Sequence, residues 1–295
     1  MFYEFAALGA ALSWVFASLL AADASRELGG MAFNRLRVCA AFLMLLVITV
    51  ASGELQSVDL KWYPILALSG VAGLAIGDSA LFAAFKRLGP RRAQVLYACN
   101  APIAVLLGIL FLSESPSLGQ LAGIIAVFVG VVIAIIWGKR KSQIHRWEEL
   151  QGLVWVGVGL GLLSGLGQAV GSLLVKPVLE AGVDPIAAST VRLGAAGLVL
   201  LLVRGARLAE PAAMPLTTRH LFLAFANAFI AVVIGVSLLL WAFAHGDVGI
   251  ASVLSATTPV MILPVLWMRT RERPALGAWI GASIAVLGTT AIILL

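Results

Sequence analysis

Ten apolar stretches alternate with short polar connections along the whole chain. They lie at about 2–20, 31–52, 64–85, 92–112, 118–138, 152–174, 186–203, 220–243, 248–268 and 275–295. A helix needs about 20 mostly apolar residues to cross the hydrocarbon core of a bilayer, so the pattern predicts ten membrane-spanning helices. The longest charged interruption is KRKSQIHRWEEL, residues 139–150. It divides the chain into a first unit, 1–138, a basic linker, 139–150, and a second unit, 151–295.

The two units repeat one another. Residues 88–132 recur at 245–290, with Pro102 falling on Pro259. One inserted residue later, Glu114, Pro116, Leu118, Gly119, Gly123 and Gly130 fall on Glu272, Pro274, Leu276, Gly277, Gly281 and Gly288. Weaker matches align Arg37 with Arg192, Gly77 with Gly235, and Ser18-Leu-Leu with Ser172-Leu-Leu. Each unit holds five spans, an odd number, so the second copy enters the membrane from the opposite face. The predicted fold is all-α and integral to the membrane, with ten transmembrane helices arranged as two inverted five-helix repeats. In such folds the binding site lies at the repeat interface.

Composition agrees: 61% of the 295 residues are hydrophobic and 12% are charged, against about 45–50% and ~25% in soluble domains. The net charge of +6 comes from short basic clusters between apolar runs, a loop pattern that leaves no place for nucleic-acid binding. The loops after the odd-numbered spans hold 15 of the 20 Lys and Arg residues, while the even loops hold only Lys61 and Lys176. The positive-inside rule then puts the odd loops in the cytoplasm and both termini outside. The N-terminus, MFYEF, lacks a basic n-region and a small-residue cleavage site, so its apolar run reads as a retained helix. Cys39 and Cys99 are isolated within apolar runs and read as small core residues. Three histidines form no metal-type spacing, and no catalytic signature is present. No metal and no cofactor are expected.

Five-plus-five spans, with Pro102, Glu114, Leu118, Gly119, Gly123 and Gly130 repeated as Pro259, Glu272, Leu276, Gly277, Gly281 and Gly288, resemble the drug/metabolite transporter superfamily, and within it the EamA-domain transporters. The stretch GDSALFAAFKRLGP, 77–90, is similar to a third-span pattern of bacterial members. The resemblance covers the whole chain. It implies a multi-pass protein of the bacterial cell (inner) membrane that exports or exchanges amino acids, drugs, nucleobases or related metabolites. It also implies a central cavity bordered by spans three, four, eight and nine. Its partners would be a small-molecule solute and the lipid bilayer, with protons and a homodimeric second copy as further candidates. Many members are described with both termini in the cytoplasm, the reverse of the orientation given by the charge count.

Asp78 is the one carboxylate well inside a span. A charge at the bilayer centre costs about 2.5–3.5 kcal/mol on insertion scales, so its presence calls for a reason. Arg37 and Asn100 lie at similar depth in their own spans. Two readings stand: a substrate or proton-coupling site built on Asp78, or an Asp78–Arg37 ion pair joining two helices. Function is favoured by one detail, because Arg37 has a repeat partner in Arg192 whereas Asp78 aligns with Val236.

Pro102 and Pro259 are mid-span at the same repeat position. Each lacks an N–H and frees the carbonyl four residues earlier, which makes them candidate helix breaks. Beside them Tyr97, Asn100, Ser255 and Thr257 offer hydrogen-bonding groups, and Trp14, Gln168 and Trp241 complete the candidate substrate-binding set. Trp241 also suits an interface anchor. Gly157, Gly161 and Gly165 form a small-residue stripe on span six, which packs closely or slides. Glu114 and Glu272 precede Pro116 and Pro274 and read as helix-start residues. His245 and Asp247 read as a solvated loop. The leading functional reading is a secondary transporter of a small organic solute. A non-transporting membrane scaffold or assembly subunit and an integral-membrane enzyme are the alternatives.

Overall fold

The computed structural model describes residues 2–88, 90–137, 153–206, 215–270 and 275–295. The linker 139–150, Glu272 and Pro274 lie outside these residues. For Arg26, Lys86, Arg91, Arg92, Pro259 and Arg269 the backbone alone is described.

All ten predicted spans are helical. Span one is Phe2–Leu28 and span two is Gly30–Ser52. Span three runs through Tyr63–Gly70, Val71–Gly77 and Asp78–Leu88. Span four consists of Pro90–Ala98 and Asn100–Phe111, and span five is Leu118–Trp137. Span six is Val154–Glu180 and span seven is Pro185–Gly205. Span eight joins Thr218–Ala228, Phe229–Val236 and Ser237–His245. Span nine consists of Val248–Ser255 and Thr258–Thr270, and span ten is Leu276–Leu294. Eight of the ten are long and apolar enough to cross a membrane, while Phe2–Ser18 and Val95–Phe111 are shorter apolar helices. Spans one and six extend past their apolar segments by about two turns. Lys176, expected in a loop, is therefore helical and nearly buried, and its ammonium donates to the Phe243 and Gly246 carbonyls.

Local chemistry sets the ends. Asp184 accepts from Ile186 N and Ala187 N and starts span seven at Pro185, an N-cap with proline in the first turn. Span five is started by Ser117 and Gln120, which exchange reciprocal bonds of 3.1 and 2.9 Å. Glu114 is therefore not the residue that starts that helix. Its carboxylate instead accepts from Val248 N and Gly249 N, at 2.5 and 3.1 Å, and caps span nine in the other half.

The contacts between halves come in exchangeable pairs. Span one packs on span eight as span six packs on span three, and spans two and seven, four and nine, and five and ten pair directly. A Cβ added to Gly123 would meet Gly288 O at 2.7 Å, and one added to Gly130 would meet Gly281 O at 2.6 Å. Under the sequence repeat Gly123 becomes Gly281 and Gly130 becomes Gly288, so exchanging the halves turns one contact into the other. Small residues thus bring the backbones of spans five and ten together.

Spans three and eight carry a feature the sequence did not announce. Each winds through a π-helical turn, Val71–Gly77 and Phe229–Val236, at matching repeat positions. Gln168 Nε2 donates to Gly73 O within the first turn at 3.1 Å. Trp14 Nε1 donates to Ala231 O within the second at 2.9 Å. Donor and acceptor are repeat equivalents in both cases, offset by 154 and 158 residues. Ser69 Oγ to Gly171 O and Asn227 Nδ2 to Ala17 O form a second matched pair, at 2.6 and 2.8 Å.

Candidate functional site

The π turn of span three ends at Asp78 and delivers its carboxylate into the space between spans two, three and six. Asp78 is 8% exposed. Its Oδ2 accepts from Arg37 Nη2 at 2.6 Å and its Oδ1 from Gln168 Nε2 at 2.8 Å. Arg37 Nη2 also donates to Asn34 Oδ1, one turn earlier on the same helix, at 2.7 Å. Gln168 divides its amide between Asp78 and the π-turn carbonyl of Gly73. The carboxylate is thus tied to both halves of the chain: through Arg37 to its own unit and through Gln168 to the other.

Arg192 of span seven enters the same region. It is 5% exposed, and Asp78 is the charge within its electrostatic reach. The Arg192 backbone packs directly on Gly70, where no side chain fits, and its Nη2 lies 3.9 Å from where a Gly73 Cβ would stand. Two glycines of span three thus make room for one arginine of span seven.

Spans four and nine break beside this region. The α-helix is interrupted at Cys99 and at Ala256–Thr257, three residues before Pro102 and immediately before the turn that holds Pro259. Cys99 N turns back to Leu96 O, and Thr257 N to Leu254 O. The Ser255 carbonyl, which the proline leaves without an amide donor, accepts from Thr258 Oγ1 at 3.1 Å. Span six meets the first break: a Cβ on Gly165 would lie 3.2 Å from Asn100 N. Span one meets the second, where Thr258 Oγ1 reaches Ala11 O at 3.3 Å. Again the two halves match. The glycine stripe on span six does bring helices close, with Gly157 against Leu88 and Gly161 against Leu96.

The candidate residues from the sequence therefore separate into groups. Asp78, Arg37 and Gln168 are in direct contact, and Tyr97 lies within electrostatic reach of Asp78 and Arg37. Asn100, Ser255 and Thr257 spend their side chains on local carbonyls at the breaks, those of Tyr97, Ser252 and Leu254. Trp14 supports the π turn of span eight. Trp241 stands apart: it is 37% exposed, stacks on His245 at 4.1 Å, and with Phe2, Tyr3 and His245 lines a surface cleft of about 540 Å³. The other described cleft, about 530 Å³ between spans two, three and seven, is apolar and faces outward. Neither of these two clefts is lined by Asp78.

Sequence reasoning missed Asn34, Gly73 and the buried, unpartnered Nε of Arg192. Arg192 carried a usable signal, since it is a repeated in-span arginine whose partner's carboxylate has no counterpart in its own half.

At the Glu114 cap outside the spans, burial pushes the Glu114 carboxyl above the usual carboxylate range, against the two amide donors of Gly249 and Val248 and against Lys176. Asp247 is pushed up as well by burial, again opposed by Lys176.

A buried charged cluster between two packed five-span repeats, each with a broken helix, defines a multi-pass membrane protein of the transporter class. The EamA-like transporter family matches residues 1–136 and 155–294, and the chain belongs to that family. A protein of Clostridium kluyveri named "Uncharacterized transporter" is 23% identical over 142 residues, which span 48% of this chain and 46% of that one. The chain therefore matches less than half the length of this relative. A crystal structure of another protein superposes with a TM-score of 0.76, covering 99% of this chain and 96% of that chain at 19% identity. That likeness concerns the fold alone.

Proposed function

We propose that this membrane transporter moves a small organic solute by alternating access around the Asp78–Arg37–Gln168–Arg192 cluster, as an exporter or exchanger. The carrying observation is Asp78 itself: a carboxylate held inside the membrane by one residue from each half. Rocking of one repeat against the other changes the Gln168 bond, which crosses between the halves, while the Arg37 bond stays within the first repeat. The matched Trp14–Ala231 and Gln168–Gly73 bonds support this reading, because two equivalent latches allow the halves to exchange conformations. Matched helix breaks supply the hinges and the unpaired backbone groups that transporter sites use. Amino acids, drugs and nucleobases are the solute classes in view, and protons are the candidate coupling ion through Asp78.

A scaffold has no use for a buried charged cluster, and the groups bonded to Asp78 among the described residues, Arg37 and Gln168, suit binding. The test is reconstitution of the full chain into liposomes, followed by counterflow of labelled solutes from each class. The expected result is saturable uptake absent from empty liposomes. Absence of flux for every class, with no solute raising the melting temperature of the purified protein, contradicts the proposal.

A further inference from the structure

We infer that Arg192 is the anchor for a carboxylate of the transported solute, so that the substrate is a small organic monoanion. This rests on the transport reading above and narrows its substrate class.

The first observation is the state of the side chain. Arg192 is 95% buried at the middle of the bundle, and its Nε has no hydrogen-bond partner. Its guanidinium makes no hydrogen bond or ion pair among the described residues. A guanidinium carries five donors in a planar fork, and burying one without acceptors is strongly unfavourable. The Nε of Arg37 is likewise buried and unpartnered, while its Nη2 holds Asp78 and Asn34.

The second observation is the charge balance. Two guanidiniums share one carboxylate, leaving one positive charge inside the membrane. The repeat explains why. Arg37 and Arg192 are equivalent, but the position equivalent to Asp78 is Val236. Span eight thus offers Arg192 no counter-charge where span three offers one to Arg37. Asp78 is already engaged on both oxygens, by Arg37 and Gln168.

The third observation is reach. Gly70 lets the Arg192 backbone lie directly on span three, and the Arg192 Nη2 comes to 3.9 Å from where a Gly73 Cβ would stand, beside the Gln168 side chain that holds Asp78. A planar carboxylate matches the guanidinium fork with two parallel N–H···O bonds. Its single charge cancels the excess. A phosphate monoester, at about −1.5 to −2, overshoots it.

The experiment is binding to the purified full-length protein, read by melting-temperature shift and by equilibrium dialysis. The probes are small monocarboxylates, each beside its neutral carboxamide, with chloride and inorganic phosphate as controls. At least one carboxylate is expected to bind about tenfold or more tightly than its carboxamide, a difference of ~1.4 kcal/mol. Arg192→Gln should erase that preference and Arg192→Lys should retain part of it. Val236→Asp supplies the missing counter-charge, and should raise the ligand-free melting temperature while abolishing carboxylate binding. The inference is overturned by any of three results: no carboxylate binds, the carboxamides or inorganic anions bind as well, or the preference survives in Arg192→Gln. Should Arg192→Gln fail to fold, a carboxylate preference that survives in Val236→Asp overturns it instead. Flux of a neutral solute without carboxylate binding would defeat this inference and leave transport standing. Carboxylate binding without flux would defeat transport and leave the anchor.

Discussion

Trp14 and Gln168 occupy the same position in the two halves and make the same kind of bond: each donates a side-chain N–H to the equivalent π-turn carbonyl of the opposite half, Ala231 and Gly73. The two residues share no chemistry beyond that donor. What the fold requires at this position is a donor of the right reach, because a π turn leaves backbone carbonyls poorly paired and such turns are common at functional sites. Gln168 has a second donor hydrogen and gives it to Asp78, which makes the first half's latch part of the charged site.

Trp14→Phe keeps the apolar bulk and removes the donor to Ala231 O. Leaving a buried acceptor unpaired costs about 1–3 kcal/mol. The expected outcome is a lower melting temperature for the purified protein, with a deficit that Trp14→Gln partly restores. Equal melting temperatures for Trp14→Phe and the parent chain would show that the bond carries no stability.

The contact between spans five and ten gives a sharper contrast. A Cβ at Gly130 would stand 2.6 Å from both Ala285 N and Gly281 O, which are backbone atoms that cannot step aside. Gly130→Ala should therefore cost roughly 1–3 kcal/mol through forced backbone displacement. Gly159→Ala, on the same kind of helix but with nothing within 4 Å, should leave the melting temperature unchanged or slightly raised. Two variants with the same melting temperature would mean that these backbones are not in close contact.

The Glu114 cap predicts a pH dependence with a definite sign. Burial raises its carboxyl above the usual carboxylate range, and Asp247 is raised by the same cause. A raised folded-state value means that the folded protein holds the proton more tightly than the unfolded chain does. The stabilising contribution is then fully present below the unfolded value and is lost as pH rises through the folded one. Melting temperature followed upward from pH 4.5 should fall, and Glu114→Gln should flatten the part of that slope due to Glu114. A slope unchanged by Glu114→Gln would place its origin elsewhere.

Much of this architecture was legible in the sequence. The ten spans follow from apolar run lengths, and the repeat follows from Pro102/Pro259 and the glycines near Gly123 and Gly281. The breaks in spans four and nine follow from proline's missing N–H, and the Arg37–Asp78 pair from matching depth. The rest depended on helix rotation, which run length does not encode. Whether Glu114 would cap its own helix or Val248, 134 residues away, turns on how the two halves dock. The π turns have no proline to mark them, and a one-residue widening of a helix leaves apolar composition unaltered. Trp241 read equally well as a site residue or an anchor, and its position against His245 was fixed only by the end of span eight.

The central claim is that the Asp78–Arg37 pair works in transport and does not only join two helices. Asp78→Asn alone leaves Arg37 and Arg192 buried without a counter-charge, at a cost of about 3–5 kcal/mol, so its loss of flux proves little. The decisive protein is the double variant Asp78→Asn with Arg37→Gln, which removes one charge of each sign and should recover much of that stability. Counterflow by this variant in liposomes, at matched reconstitution and with its melting temperature measured alongside, tests the claim directly. The account predicts a folded protein with no saturable uptake. Uptake equal to that of the parent chain would contradict it and reduce the pair to a structural tie.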